Sequence, residues 1–139
     1  MAKVTITKNP IAPSSVIKKV MIDKCGGIVV FIGTIRDSFM GKHVRKVFVE
    51  AYDLLARKDL QNIVDDVQSK YDIAEIIVTH RIGELSVGDV VVTIAVSAAH
   101  RKEAFEACEE IIDRMKKTTP IWKQEFFDDG SRWVEGDVQ

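Results

Sequence analysis

Cysteine, histidine and net charge are all scarce in this sequence. The two cysteines, Cys25 and Cys108, form no CxxC pair and no metal-ligand spacing. The three histidines, His43, His80 and His100, are scattered along the chain. No zinc site and no metal or other cofactor is therefore expected. The cysteine usage carries no sign of an oxidising compartment, which leaves the cytoplasm as the default. A net charge of −1 argues against a polyanion-coating protein, so no nucleic-acid partner is expected. No apolar run approaches the ~20 residues of a membrane span. Residues 1–8 alternate and are polar, without the apolar stretch of a secretory signal.

Repeats, low-complexity tracts and linkers are missing too, so residues 1–139 read as a single domain. Apolar residues make up 46% and charged residues 29%, the mixture of an ordinary globular protein. Alternation marks a short strand at residues 4–7, and Pro10 and Pro13 interrupt the chain after it. A helix is predicted over 14–24, with Gly26-Gly27 stopping it. Residues 28–35 form a continuous apolar, β-rich run, the pattern of a strand buried on both faces. A loop around Gly41 leads to a strand over 44–50. Asp53 is a candidate N-cap for a helix that reaches about residue 71. A strand over 73–82, a turn over 83–88 that carries Leu85, and a buried strand over 90–96 follow. Ser97 is a candidate cap for the last helix, which Pro120 ends. Residues 121–126 look extended, and Asp128-Asp129-Gly130 is a strong turn signal between two short strands. Consecutive strands without crossover helices give an α+β fold class rather than a doubly wound one.

Chemistry concentrates in the last helix and just beyond it. At about 100° per residue, Ala104, Phe105, Cys108, Ile111, Ile112 and Met115 make one apolar stripe. Arg101 falls within the stripe and Lys116 at its edge. An arginine there snorkels to solvent, meets a carboxylate, or meets an anionic ligand. His100-Arg101 lies in the first turn, where free N–H groups also favour anions. Lys116 and Lys123 stand on either side of Pro120, and a turn there would bring them together. A lysine with a cationic neighbour is a candidate acid, base or nucleophile. The plainer reading makes Trp122 core and Lys123 a solvated charge. Arg36, at the end of the apolar strand, either lines a site or contacts Asp37. Both cysteines read as small hydrophobes, and His80 as structural.

Several motifs, taken in order, resemble a known family. They are Phe31-Ile32-Gly33-Thr34-Ile35-Arg36-Asp37, Glu50-Ala51-Tyr52, His80-Arg81-Ile82-Gly83-Glu84-Leu85 and Val87-Gly88-Asp89. His100-Arg101 with Ala104-Phe105 and Ala107-Cys108, Pro120-Ile121-Trp122-Lys123 with Glu125, and Asp129-Gly130 with Trp133-Val134 complete the series. Together they resemble the MoaE-type large, catalytic subunit of molybdopterin synthase. The resemblance implies an α/β hammerhead core with an additional antiparallel β subdomain. It implies a sulfurtransferase of molybdenum cofactor biosynthesis. Sulfur would come from the C-terminal Gly-Gly thiocarboxylate of a small ubiquitin-like sulfur-carrier subunit. It would go to cyclic pyranopterin monophosphate to make the molybdopterin dithiolene. A central homodimer with one small subunit at each end, a heterotetramer, is implied as well.

By the same resemblance Lys116 and Lys123 match the active-site lysines. Arg36, His100 and Arg101 match substrate-pocket residues, and Phe31 helps to line the pocket. The chain departs from the family at Ser38-Phe39, where His-Asn is common. It departs again at Gln124, where many members have a lysine, and at Gly136-Asp137, where some have a basic residue. Arg101 and Lys116 are fifteen positions apart on one helix, which is about 22 Å at 1.5 Å per residue. If both serve one site, His100 and Arg101 come from the second subunit. The alternative to catalysis is a non-catalytic module that docks a ubiquitin-like partner.

Overall fold

The computed structural model describes residues 2–135, so Gly136-Asp137 lies outside the described residues. Nine strands and three helices are described. In chain order they are β1 (Ala2–Thr7), α1 (Pro13–Val20), β2 (Gly27–Thr34), β3 (Ser38–Phe39), β4 (Lys42–Ala51) and α2 (Asp53–Lys70). Then come β5 (Glu75–Arg81), β6 (Gly83–Ser86), β7 (Val90–Ala98), α3 (Arg101–Thr118), β8 (Ile121–Phe127) and β9 (Gly130–Glu135). The α+β class expected from the sequence is what the chain adopts.

The first sheet has the order β1-β5-β7-β2, with β1 and β5 parallel and the other pairs antiparallel. In its central strands β5 and β7 successive side chains serve opposite faces. Ile76, Val78, Ile94 and Val96 enter the main core with α2 and α3, while Ile77 and Ala95 meet Val16 and Val20 of α1. The two-sided burial explains why 90–96 is apolar at every position but Thr93, which is itself buried. The second sheet runs β3-β4-β8-β9, and β6 also pairs with β4. Leu85, Val47 and Val49 carry this sheet into the same core.

Several local expectations are corrected. The strand over 28–35 is not buried on both faces, because β2 is an edge strand. Eight-residue α1 is too short to cover that side of it, and Ile28 and Ile32 stay 36% and 42% exposed. The first helix stops at Val20, and Gly26-Gly27 serves another purpose. A Cβ on Gly26 would stand 2.8 Å from the Ala99 carbonyl oxygen, and one on Gly27 2.8 Å from Arg101 Cα. These glycines let the start of β2 close against the entry to α3. Ser97 lies buried within β7, and His100 occupies the N-cap of α3 without a side-chain cap bond. Tyr52, not Asp53, is the N-cap of α2; Asp53 sits in the first turn and accepts from Arg57 Nε at 2.9 Å. The segment over 83–88 contains a strand, because Lys46–Val49 of β4 offers it an open edge. The Gly41 loop contains the short β3, which turns into β4 through positive φ at Met40 and Gly41. Phe105 leaves the apolar stripe of α3 and is 61% exposed; the buried set is Ala104, Ala107, Cys108, Ile111 and Met115.

Candidate functional site

The end of α3 sets the geometry of the site. Pro120 lacks the N–H that a further helical turn needs, and the Thr119 N–H closes on the Met115 carbonyl at 3.1 Å. Thr118 and Thr119 both donate their hydroxyls to Asp59 Oδ2 of α2, at 2.9 and 2.6 Å. The chain then reverses into β8, which pairs with β4 from Ile121 opposite Ala51 onwards. Along β8 the two-residue alternation places Ile121, Lys123 and Glu125 on one face. Trp122 points to the other, edge-on to Tyr52 with ring centroids 5.7 Å apart.

That inner face of β8 closes one side of a cavity of about 290 Å³. Lys116 reaches it from the last turn of α3 and Lys123 from β8, so the helix stop and strand start bring the two lysines together. Phe31, Gly33 and Thr34 of β2 line the cavity too, as does Arg36 just beyond that strand. Val91 and Val92 of β7 and His80 of β5 also line it. Of the six residues expected in the site, Phe31, Arg36, Lys116 and Lys123 thus share one cavity. His100 and Arg101 do not line it. Both are exposed at the start of α3, and Arg101 is fifteen residues along an unbroken helix from Lys116, about 22 Å.

The cavity is also lined by His80, Phe39, Glu125 and Arg132, none of which was among the six expected site residues. Glu125 and Arg132 face each other across the β8–β9 hairpin, and Arg132 Nε donates to Glu125 Oε1 at 2.9 Å. The Asp128-Asp129 turn signal, taken with strand alternation, carried that pairing. His80 is 4% exposed, and its Nδ1–H donates to the Arg81 carbonyl at 2.9 Å. Burial, with the Lys123 charge adding to it, pushes its pKa down to about 4. The imidazole is therefore neutral at pH 7 and leaves Nε2 as an acceptor. Among the lining residues four side chains are cationic, Arg36, Lys116, Lys123 and Arg132, against the single carboxylate of Glu125. Such a cavity suits anions.

Neither thiol belongs to this cavity. Cys108 is buried in α3, and burial pushes its thiol up to about 11, so it stays protonated. Cys25 is half-buried in the loop before β2. Among the described residues no three His, Cys, Asp or Glu side chains converge as a metal site requires. No described helix is long and apolar enough to cross a membrane.

Comparison with known proteins places the fold. The sequence profile of the family described as MoaE protein matches residues 6–118. A molybdopterin synthase catalytic subunit from Pyrococcus abyssi is 42% identical over 138 residues, covering 98% of this chain and 93% of the relative. The crystal structure of molybdopterin synthase from Staphylococcus aureus superposes with a TM-score of 0.88 at 37% identity, over 94% of this chain and 95% of that one. A protein–protein complex of subunits 1 and 2 of molybdopterin-converting factor from Helicobacter pylori shares the fold at 17% identity, with a TM-score of 0.78 over 95% and 90% of the two chains. The chain belongs to the MoaE family, that of the molybdopterin synthase catalytic subunits.

Proposed function

We propose that this chain moves sulfur from the C-terminal thiocarboxylate of a small ubiquitin-like subunit onto cyclic pyranopterin monophosphate, building the molybdopterin dithiolene. The observation that carries this reading is the convergence of Lys116, Lys123, Arg36 and Phe31 on one cationic cavity. Both reactants are anions, and a partly enclosed site makes charge contacts strong. The Helicobacter pylori complex, in which subunits 1 and 2 are bound together, supports a protein donor.

Lys116 and Lys123 receive the thiocarboxylate. One of them moves the protons required as the thiocarboxylate sulfur displaces an oxygen substituent from a pterin side-chain carbon, and as water then cleaves the resulting acyl–sulfur bond to leave sulfur on the pterin and release the donor as a carboxylate. Arg36 holds the phosphate and pterin, with His100 and Arg101 supplied by the second copy of a homodimer. The distance along α3 supports that sharing, since one chain cannot bring Arg101 to its own Lys116. Each such charge contact is worth several kcal/mol of transition-state binding. Sulfur arrives on the partner, so no cysteine of this chain enters the reaction; the protonated, buried state of Cys108 supports this.

The test combines the protein with a thiocarboxylated small subunit and the cyclic pterin phosphate and assays for dithiolene. The Cys25→Ser, Cys108→Ser double variant should form product at the wild-type rate. A folded but inactive double variant overturns the sulfur route.

A further inference from the structure

Arg132 is the lining cation that the mechanism above leaves without a role, and its surroundings are specific. Nε is committed to Glu125 Oε1 at 2.9 Å, and the Glu125 side chain is only 14% exposed. The guanidinium carbon lies 3.7 Å from the centroid of the Phe39 ring, and the Arg36 guanidinium carbon lies 5.6 Å from the same centroid. One phenyl ring thus serves two arginines, in the short segment where this chain has Ser38-Phe39. The Arg132 side chain as a whole is 34% exposed, yet Nη2 is closed off from solvent and has no hydrogen-bond partner. A shielded guanidinium donor without an acceptor is costly. A stacked guanidinium directs its N–H bonds in its own plane, away from the ring beneath it. Arg132 also lines the cavity that holds Arg36, Lys116 and Lys123.

We infer that Arg132, oriented by Glu125 and stacked on Phe39, is an oxyanion-binding residue of this cavity, its guanidinium donating to a ligand oxygen. Glu125 sets the rotation of the fork and leaves its outer edge for the ligand. Two anion sources fit that chemistry: a phosphate group, and the carboxylate or thiocarboxylate that ends a Gly-Gly tail. Only the assignment of these sources rests on the function proposed above.

The test follows arginine Nε–Hε signals by NMR while the full-length protein is titrated separately with inorganic phosphate and with N-acetylglycylglycine. Arg132→Lys keeps a charge opposite Glu125 but loses the fork, and Arg132→Gln removes the charge. Thermal denaturation checks that both fold. One of the two anions should shift the Arg132 signal saturably, and its binding should weaken about ten-fold or more in Arg132→Lys. The anion that responds identifies the source. If neither anion moves the signal, or Arg132→Lys binds both as the wild type does, the inference falls. Dithiolene assay of the wild type separates the two failures. An active wild type with unchanged anion binding in Arg132→Lys sinks only the role of Arg132. An inactive wild type whose anion binding depends on Arg132 sinks only the sulfur-transfer reading.

Discussion

His80 should make the protein lose stability in mild acid, and the size of the loss follows from its burial. The folded imidazole is pushed down to about 4 from an ordinary value of 6.5. Between those values the unfolded chain binds a proton that the folded chain refuses, so stability rises with pH there. The contribution is complete above pH 6.5 and disappears progressively as pH falls towards 4. The full difference is about 3 kcal/mol, and about 2 kcal/mol is lost by pH 5. His80 is 4% exposed, so solvent screening does not reduce this much. Urea denaturation of the wild type and of His80→Gln at pH 7.5, 6 and 5 isolates the term. Other groups titrate in both proteins, whereas only the wild type carries this imidazole. The wild type should lose about 2 kcal/mol more than His80→Gln between pH 7.5 and 5. Parallel curves would refute the claim that the imidazole is held neutral at the cavity wall. An anion in the cavity offsets the Lys123 charge and brings the folded imidazole closer to its ordinary value, so saturating phosphate bound here should make the acid loss smaller.

The remaining predictions test the lysines, the dimer and the core. Lys116→Ala and Lys123→Ala should each slow dithiolene formation about a hundred-fold or more while the thermal midpoint stays near that of the wild type. Wild-type rates in both variants would leave the chain as a docking module. Mixing Lys116→Ala chains with Arg101→Ala chains should restore activity, because one site of each mixed dimer receives intact residues from both copies. Random exchange predicts recovery of about a quarter of the wild-type rate, and a mixture no more active than its parents would place Arg101 outside the site. Leu85→Ala should cost about 2–5 kcal/mol in chemical denaturation, since Leu85 is fully buried on β6, beside Val47 of β4. A loss below about 1 kcal/mol would mean that β6 does not help to form the core.

How much of the site was legible depends on how far each signal reaches along the chain. Lys116, Pro120 and Lys123 are close in sequence, and a helix stop followed by a strand is a local event. The turn that joins the two lysines could therefore be anticipated. Phe31 and Arg36 sit at the end of a recognisable apolar strand, but nothing local says that they share a cavity with residues of β8. Arg132 and Glu125 meet only through hairpin register. His80 looked structural because its neighbours in sequence are ordinary; its neutral state comes from the layers that bury it. Phe105 and Ile28 misled in the opposite direction, since periodicity marks an apolar face without saying how much of that face is covered.

By itself the sequence determined the order of the three helices and of seven of the nine described strands, the α+β class, the helix stop at Pro120 and the motif series that marks the family, because propensity, alternation and proline chemistry act over a few residues. Tertiary structure alone decided that β2 is an edge, that 83–88 contains a strand, that four cations crowd one cavity, and that His100 and Arg101 stand at the far end of α3 from it. These outcomes depend on which distant segments pack together and on how completely they exclude water. A protonation state or an unpaired donor exists only after that packing is complete.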